Sequence, residues 1–181
     1  VHSTPEAFFQ ALEDESVDAP VFADDLRPVF VGCYTAQARV KQLHRELENH
    51  LFAAEKLLTA AAVQGLNAYP SAQLHEAEQD LLFAEFHDIL PGTTIQECEA
   101  DSIGVLQHGL TTVSRLQMKG AMALLAGQPK AVPEQTPVFL YNPHPYPITG
   151  DFVFELMPAD QNWSQVLRNA VTVTQNGTQI P

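Results

Sequence analysis

The 181-residue sequence predicts a mainly α fold with a β extension: an antiparallel three-helix bundle followed by the first strands of a β-sandwich domain. Two observations carry this prediction. Between residues 35 and 127 the apolar residues recur at steps of three and four, which is the spacing of one face of a helix. Beyond residue 137 the spacing changes to alternation, which is typical of strands. Helices joined by short turns pack as antiparallel neighbours, so the central region is expected to form a bundle.

The region before the bundle predicts one short helix and an irregular connection. Thr4 is suited to the N-cap and Pro5 to the first helical position, and apolar spacing continues to Leu12. Residues 17–30 are acidic and contain two prolines, so we expect an irregular or extended segment there.

The first two bundle helices follow from apolar spacing and turn residues. The first is expected from Thr35 to near Gly65, with its charged residues mostly off the apolar face. The second is expected to take Ser71 as its N-cap and to continue to about His87.

The third bundle helix is predicted to begin after Gly92. Thr94 and Glu97 have the spacing of a capping box, in which each side chain bonds the other residue's backbone N–H. A prolonged apolar stripe follows to Leu124. Residues 128–137 contain three prolines and predict a linker, and strands are expected at residues 138–141, 151–156 and 171–174.

The composition excludes several classes of protein. The chain carries 22 acidic and 9 basic residues, a net charge of −13, whereas nucleic acids and anionic membranes bind basic surfaces. No apolar stretch is long enough to cross a membrane, and no basic segment followed by an apolar core predicts a signal peptide. Cys33 and Cys98 are too few and too distant to indicate a disulfide framework or a cysteine-based zinc site.

The stretch FHDILPGTT, residues 86–94, is the candidate functional site. A neutral imidazole is a common zinc ligand, and a carboxylate beside it can bind metal or accept hydrogen bonds from sugar hydroxyls. His87 follows a helix, and the next residues can anchor the turn in the core and restrict its backbone at Pro91. This is an arrangement that keeps two polar side chains in place at the end of a bundle.

A purely structural interpretation of the same residues is also open. A histidine near a helix C-terminus interacts well with the helix dipole, and aspartate before Pro-Gly is common in turns. One His-Asp pair cannot hold zinc alone, since three or four ligands are normally needed. Structural or solvated roles are expected for the other histidines considered, which are His44, His50, His75, His108 and His144.

Three segments together resemble one known family. FHDILPGTT is similar to the His-Asp motif of the family 38 glycoside hydrolases, the zinc-dependent retaining α-mannosidases. GCYTAQARVKQLHRELENHLFAAE, upstream, resembles the segment leading into the three-helix middle domain of that family, and VFLYNPHPYP resembles the start of its C-terminal β region. Their order and spacing agree, so the resemblance covers essentially the whole chain.

The resemblance implies a role for each residue of the pair. His87 matches the zinc-binding histidine that the middle domain contributes, and Asp88 matches the aspartate that bonds the hydroxyls of the bound mannose. A His-x-Asp pair and the nucleophilic aspartate, all from an N-terminal barrel, complete the Zn²⁺ site in that family. The nucleophile attacks the anomeric carbon and water then releases the sugar, so the configuration is retained. No catalytic residue of that set has a counterpart here, and the fragment is expected to be inactive alone.

The same resemblance sets the expected domains and partners. Residues 1–34 are expected to be the C-terminal tail of the catalytic domain, 35–127 the middle domain, and 128–181 the linker and the start of the β-sandwich domain. The expected partners are mannosides and the barrel and β domains of the same chain, with no nucleic acid and no membrane. Phe86 stands where many eukaryotic members have a second histidine, which resembles the bacterial branch. The acidic surface and the lack of a predicted signal suggest a bacterial cytoplasmic location, and the oligomeric state, including a homo-oligomer, is left open.

One rival interpretation differs in kind. The chain would then be a non-catalytic helical module that binds a protein or a carbohydrate, with His87 an ordinary residue after a helix. A His-x-Asp pair and a nucleophilic aspartate encoded upstream of Val1 would favour the enzyme.

Overall fold

A computed structural model of the chain describes residues 2–16, 18–26, 29–133, 135–155, 171–175 and 178–179. The chain divides into two compact units, residues 1–143 and residues 144–181. The helices of the described residues are α1 (Pro5–Asp14), a 3₁₀ helix (Val31–Tyr34), α2 (Ala38–Val63), α3 (Ser71–Ala84) and α4 (Gln96–Leu125). The mainly helical class with a β extension is thereby confirmed.

Helix α1 begins as its sequence predicts. The Thr4 side chain accepts a hydrogen bond from the backbone N–H of Ala7, and Pro5 occupies the first helical position. Residues 18–26 contain no helix or strand, in agreement with the irregular connection expected there.

Contacts between the bundle helices give their directions. His44, early in α2, contacts Glu85, directly after α3, so these two helices are antiparallel. Asn67, before α3, bonds the carbonyl of Lys119, late in α4, so α3 and α4 are antiparallel as well. Helices α2 and α4 consequently run in the same direction, and the predicted antiparallel three-helix bundle is confirmed.

The apolar stripes of the three helices meet in one core. The fully enclosed side chains include Leu47 of α2 and Leu106 and Val113 of α4, each with 0% exposure. Burial of these stripes is the main stabilising term of the bundle. The core residues are Val40, Leu47, Leu51, Ala54, Leu58, Leu74, Ala77, Leu81, Ala84, Ile89, Leu106, Val113 and Leu116.

The end of α3 differs from the prediction. The helix ends at Ala84 and not near His87, which lies three residues beyond it. The backbone N–H groups of Glu85 and Phe86 bond carbonyls three residues back, so the last turn tightens and the α-helical ladder stops.

The predicted N-caps of α3 and α4 are wrong. The N-cap of α4 is Ile95, without a side-chain cap bond, because the Thr94 hydroxyl contacts the side chain of Gln37. The N-cap of α3 is Pro70, and Ser71 is already the first helical residue. Helix α2 likewise begins at Ala38, three residues later than expected.

The C-terminal unit contains a two-stranded antiparallel ladder. Strand β1 (Thr174–Gln175) pairs with β2 (Thr178–Gln179), with Thr174 opposite Gln179. Strands predicted at residues 138–141 and 151–156 are wrong as far as the structure describes them, and Leu156 lies outside the described residues. The third predicted strand coincides with β1 only at Thr174. Alternating apolar residues favour an extended chain, but a strand also needs a neighbour that bonds its backbone, and these segments have none among the described residues.

Candidate functional site

The two predicted site residues lie on the connection between α3 and α4, residues 85–95, here called the site loop. His87 Nε2 is 3.5 Å from Asp88 Oδ2, so the structure brings the imidazole and the carboxylate together. Their side chains are 77% and 54% exposed. Both groups are accessible to a ligand from outside the bundle.

The site loop is attached to the core by an apolar residue. Ile89 is 6% exposed and belongs to the bundle core, as the sequence suggested for this part of the turn. The backbone N–H of Ile89 bonds the carbonyl of Phe86 at 2.8 Å, and that of Gly92 bonds the carbonyl of Ile89 at 2.9 Å. Consecutive turns of this kind, with a buried side chain at the centre, limit how far the neighbouring polar residues can move.

Asp88 is fixed by Thr93 at the other side of the same turn. The Thr93 hydroxyl donates to Asp88 Oδ1 at 3.1 Å, and the Thr93 backbone N–H bonds the Asp88 carbonyl at 3.2 Å. One carboxylate oxygen is therefore held by a hydroxyl while the other lies beside His87. A carboxylate oriented in this way is prepared to accept hydrogen bonds from a hydroxylated ligand.

His87 packs against the preceding aromatic ring. The centroids of the Phe86 and His87 rings are 4.2 Å apart with a 49° angle between the planes. This contact restricts the imidazole on one side and leaves its outer side open to solvent, where a further partner can bind.

Gln37, which the sequence did not single out, also contacts the site loop. Its side-chain Nε2 donates to Thr94 Oγ1 at 3.0 Å and lies 3.2 Å from the Thr94 carbonyl oxygen. A glutamine just before a helix is too common to mark a site, and the contact spans 57 residues of sequence. Nothing local in the sequence indicates it.

The donor set of this chain fits one part of a metal site. His87 offers an accessible imidazole and Asp88 a carboxylate, both suitable ligands for zinc. In the part of the chain that the structure describes, no group of three or more His, Cys, Asp or Glu residues could hold a metal ion. Zinc normally has at least three protein ligands, so this pair by itself would not complete a zinc site.

The other histidines of the bundle have structural partners, as expected. His44 is buried and its Nε2 is 3.1 Å from Glu85 Oε1. His108 Nδ1 lies 2.7 Å from Asp80 Oδ2. The hydrogen bond that Asp80 accepts from the His108 ring raises the pKa of His108 above its ordinary value of 6.5, and the negative charges of Asp80 and Glu76 raise it further. These pairs link α3 to α2 and α4.

A groove of about 950 Å³ lies elsewhere in the bundle. Its lining combines apolar side chains with two exposed cations, and it includes no residue of the site loop. Its lining includes Tyr69, Arg115, Met118, Lys119 and Met122. Among the described helices, none is both long and apolar enough to span a membrane.

Comparison with known proteins connects this region to one family. The alpha-mannosidase middle domain family matches residues 29–124, which include α2, α3, the site loop and most of α4. Alpha-mannosidase 2C1 of Homo sapiens is 32% identical over 133 residues, covering 70% of this chain and 12% of that protein. Alpha-mannosidase G of Dictyostelium discoideum is 34% identical over 109 residues, covering 60% of this chain and 10% of that protein. The alpha-mannosidase of Saccharomyces cerevisiae is 35% identical over 82 residues, covering 44% of this chain and 8% of that protein.

The chain thus spans about an eighth or less of the length of the curated relatives it matches. No solved structure matches it.

Proposed function

The chain belongs to the alpha-mannosidase middle domain family, and from this we propose that it is the helical part of a zinc-dependent retaining α-mannosidase. The substrates would be terminal α-mannosyl residues of oligosaccharides. The remainder of the active site would come from other domains of the same protein, since the chain spans only 12% of its human relative.

One observation carries this proposal. His87 and Asp88, the two residues that the family resemblance selects, are adjacent and exposed on a loop that is anchored by buried Ile89 and by Thr93. Two oriented polar groups that face solvent suit a shared binding site.

The two residues would have separate roles. His87 would supply one ligand of the zinc ion through its accessible imidazole. Asp88, oriented by Thr93, would accept hydrogen bonds from hydroxyls of the mannose ring. The zinc ion, when bound, supplies Lewis-acid polarisation of the sugar oxygens. The nucleophile and the acid/base carboxylate of the family belong to its barrel domain, so we propose that this chain is inactive alone.

Finer assignments stay predictions. The curated relatives named above are all eukaryotic, whereas the Phe86–His87 form resembles the bacterial branch. A bacterial cytoplasmic location stays a prediction, and the oligomeric state is left open.

The proposal is tested by replacing His87 in the full-length protein. We expect His87→Ala to lose most bound zinc and to reduce kcat/KM on p-nitrophenyl α-mannoside by about a hundredfold or more, since even residues behind metal ligands cost up to that factor. Activity and zinc content are measured in parallel. His75→Ala is the matched control, because His75 is also exposed but lies on α3, outside the site loop.

Full turnover with zinc retained in His87→Ala would contradict the proposal. The site loop would then be a connection between helices only, and the interpretation as a non-catalytic interaction or carbohydrate-binding module would be favoured.

A further inference from the structure

The geometry points to Gln37 as a positioning residue for the site loop, acting on Asp88 through Thr94 and Thr93. Gln37 lies directly before α2, on a different part of the chain from the loop that it contacts. The inference rests on the proposed role of Asp88 as a sugar-binding group, and it adds a residue that the sequence motif does not contain.

The contact between Gln37 and Thr94 uses both ends of the amide. Nε2 is 3.0 Å from the Thr94 hydroxyl oxygen and 3.2 Å from its carbonyl oxygen, and the hydroxyl is 3.3 Å from Oε1. Both residues are half-buried. Partial burial reduces competition from water, so these bonds restrain Thr94 more than fully exposed bonds would.

The restraint passes to Asp88 through a single peptide unit. Thr93 is bonded to Thr94 in sequence and donates its hydroxyl to Asp88 Oδ1 at 3.1 Å and its N–H to the Asp88 carbonyl at 3.2 Å. When Thr94 is held in place, the Thr93 hydroxyl and N–H can point in fewer directions. The orientation of the Asp88 carboxylate that they bond is limited as a result.

A steric contact reinforces the same junction. Gly92 has a φ of +80°, and a Cβ at this position would lie 2.9 Å from both the Cβ and the carbonyl oxygen of Ala36. Residues 36 and 37 thus contact the loop on either side of Thr93. The start of α2 and the end of the site loop are joined by packing as well as by hydrogen bonds.

The backbone of Gln37 supports a role for its side chain. Its φ and ψ are 46° and 49°, the left-handed region, which is unfavourable for a residue with a Cβ. Glycine would adopt this conformation without that cost. The Gln37 side chain makes no cap bond to α2, so its bonds to Thr94 are the interaction for which a glutamine is needed.

This conformation provides a discriminating variant. Gln37→Gly removes the amide but relieves the backbone, so the substitution should leave the unfolding temperature unchanged or raise it. Ser16→Gly is the matched control, since Ser16 also has a left-handed backbone, with a φ of 48°, and follows α1, away from the site loop.

The experiment measures two properties of the full-length protein. In Gln37→Gly we expect hydrogen exchange at the Thr93 amide to accelerate about tenfold, because its bond to Asp88 opens more often. We also expect KM for p-nitrophenyl α-mannoside to rise about tenfold with a smaller change in kcat, since indirect support of a ligand typically contributes 10- to 100-fold. Gln37→Glu, which keeps the size but loses the N–H donors, should give the same direction of change. Ser16→Gly should alter neither property.

Wild-type exchange and wild-type KM in Gln37→Gly would overturn the inference. Suppose that Gln37→Gly behaves like wild type, while the wild-type protein is active and His87→Ala is not. The role of Gln37 is then removed and the proposed function stays intact. If the wild-type protein hydrolyses no α-mannoside, the proposed function fails, and the exchange at Thr93 still decides whether Gln37 fixes the loop.

Discussion

The two ends of the three-helix bundle are built differently. At the end that bears the site loop, residues 38–48, 76–88 and 96–101 contain ten acidic residues. The opposite end, here called the distal end and formed by residues 57–73 and 110–126, contains no acidic residue and two basic ones, Arg115 and Lys119. In a chain with a net charge of −13, this separation is pronounced.

The two interhelical loops also differ in the contacts that hold them in place. The site loop is joined to residues before α2 by side-chain hydrogen bonds across 57 residues and by the contact between Gly92 and Ala36. The loop of the distal end closes mainly through backbone bonds of Gly65 and Leu66 to α2, with one long bond from Asn67 to α4. A simple reversal of the chain needs only the second kind of closure. The additional restraint at the first end is consistent with a need to keep polar side chains in place.

The largest expected effect compares one glycine from each loop. Gly92→Ala should lower the free energy of unfolding by about 3 kcal/mol, because a left-handed backbone costs about 1–2 kcal/mol and overpacking against Ala36 adds about 1–3 kcal/mol. Gly65→Ala should cost only about 1 kcal/mol, since its φ is +70° but no atom lies within 4 Å of the added Cβ. Urea unfolding of both variants measures the difference. Equal losses would show that the contact with Ala36 yields and that the two loops are equally constrained.

A smaller effect is expected on the pH dependence of stability, through a histidine that lies beside the carboxylates of α3. The pKa of His108 is raised in the folded state by Asp80, so protonated His108 is favoured on folding. Its contribution to stability should be fully present below its unfolded pKa of about 6.5 and should be lost as pH rises through the higher folded value. The gain should remain below about 1 kcal/mol, because the His108 side chain is 54% exposed and solvent screens the pair.

The measurement compares wild type with His108→Gln in urea at about pH 5.5 and about pH 8.5, on either side of the histidine titration. The wild-type advantage should be larger at the lower pH. The control for the change of residue type is His75→Gln, since His75 lies on α3 and its side chain is 67% exposed. A pH-independent difference for His108→Gln would mean that Asp80 does not stabilise the imidazolium in the folded protein.

The smallest effect is expected at the distal end. Arg115 forms no ion pair with any residue that the structure describes, and its side chain is exposed beside the groove. Arg115→Gln should therefore change the free energy of unfolding by no more than about 0.5 kcal/mol, at low and at high salt. A salt-dependent loss larger than this would show that the acid-free end is stabilised by charge and would remove part of the contrast between the two ends.

The two residues of the candidate site could be selected from the sequence, but the contacts that hold them in place could not. His87 and Asp88 were selected because their residue types and the adjoining Pro-Gly turn form a short local motif, and the structure places them together on a solvent-facing loop. Their roles toward zinc and mannose stay predictions. Thr93 lies within that motif, but its bond to Asp88 depends on the folded path of the turn. Gln37 lies 57 residues from its partner, and no local pattern indicates that contact.

The sequence by itself determined the features that depend on neighbouring residues. The helical stripes, the N-cap at Thr4 and the buried anchor at Ile89 follow from spacing and residue type within a few positions. Tertiary structure decided the features for which several partners compete. Thr94 bonds Gln37 and does not cap α4, and the extended segments at 138–141 and 151–155 form no strand among the described residues. Hydrogen-bonding groups take the partners that folding brings within reach, and those partners can be distant in the sequence.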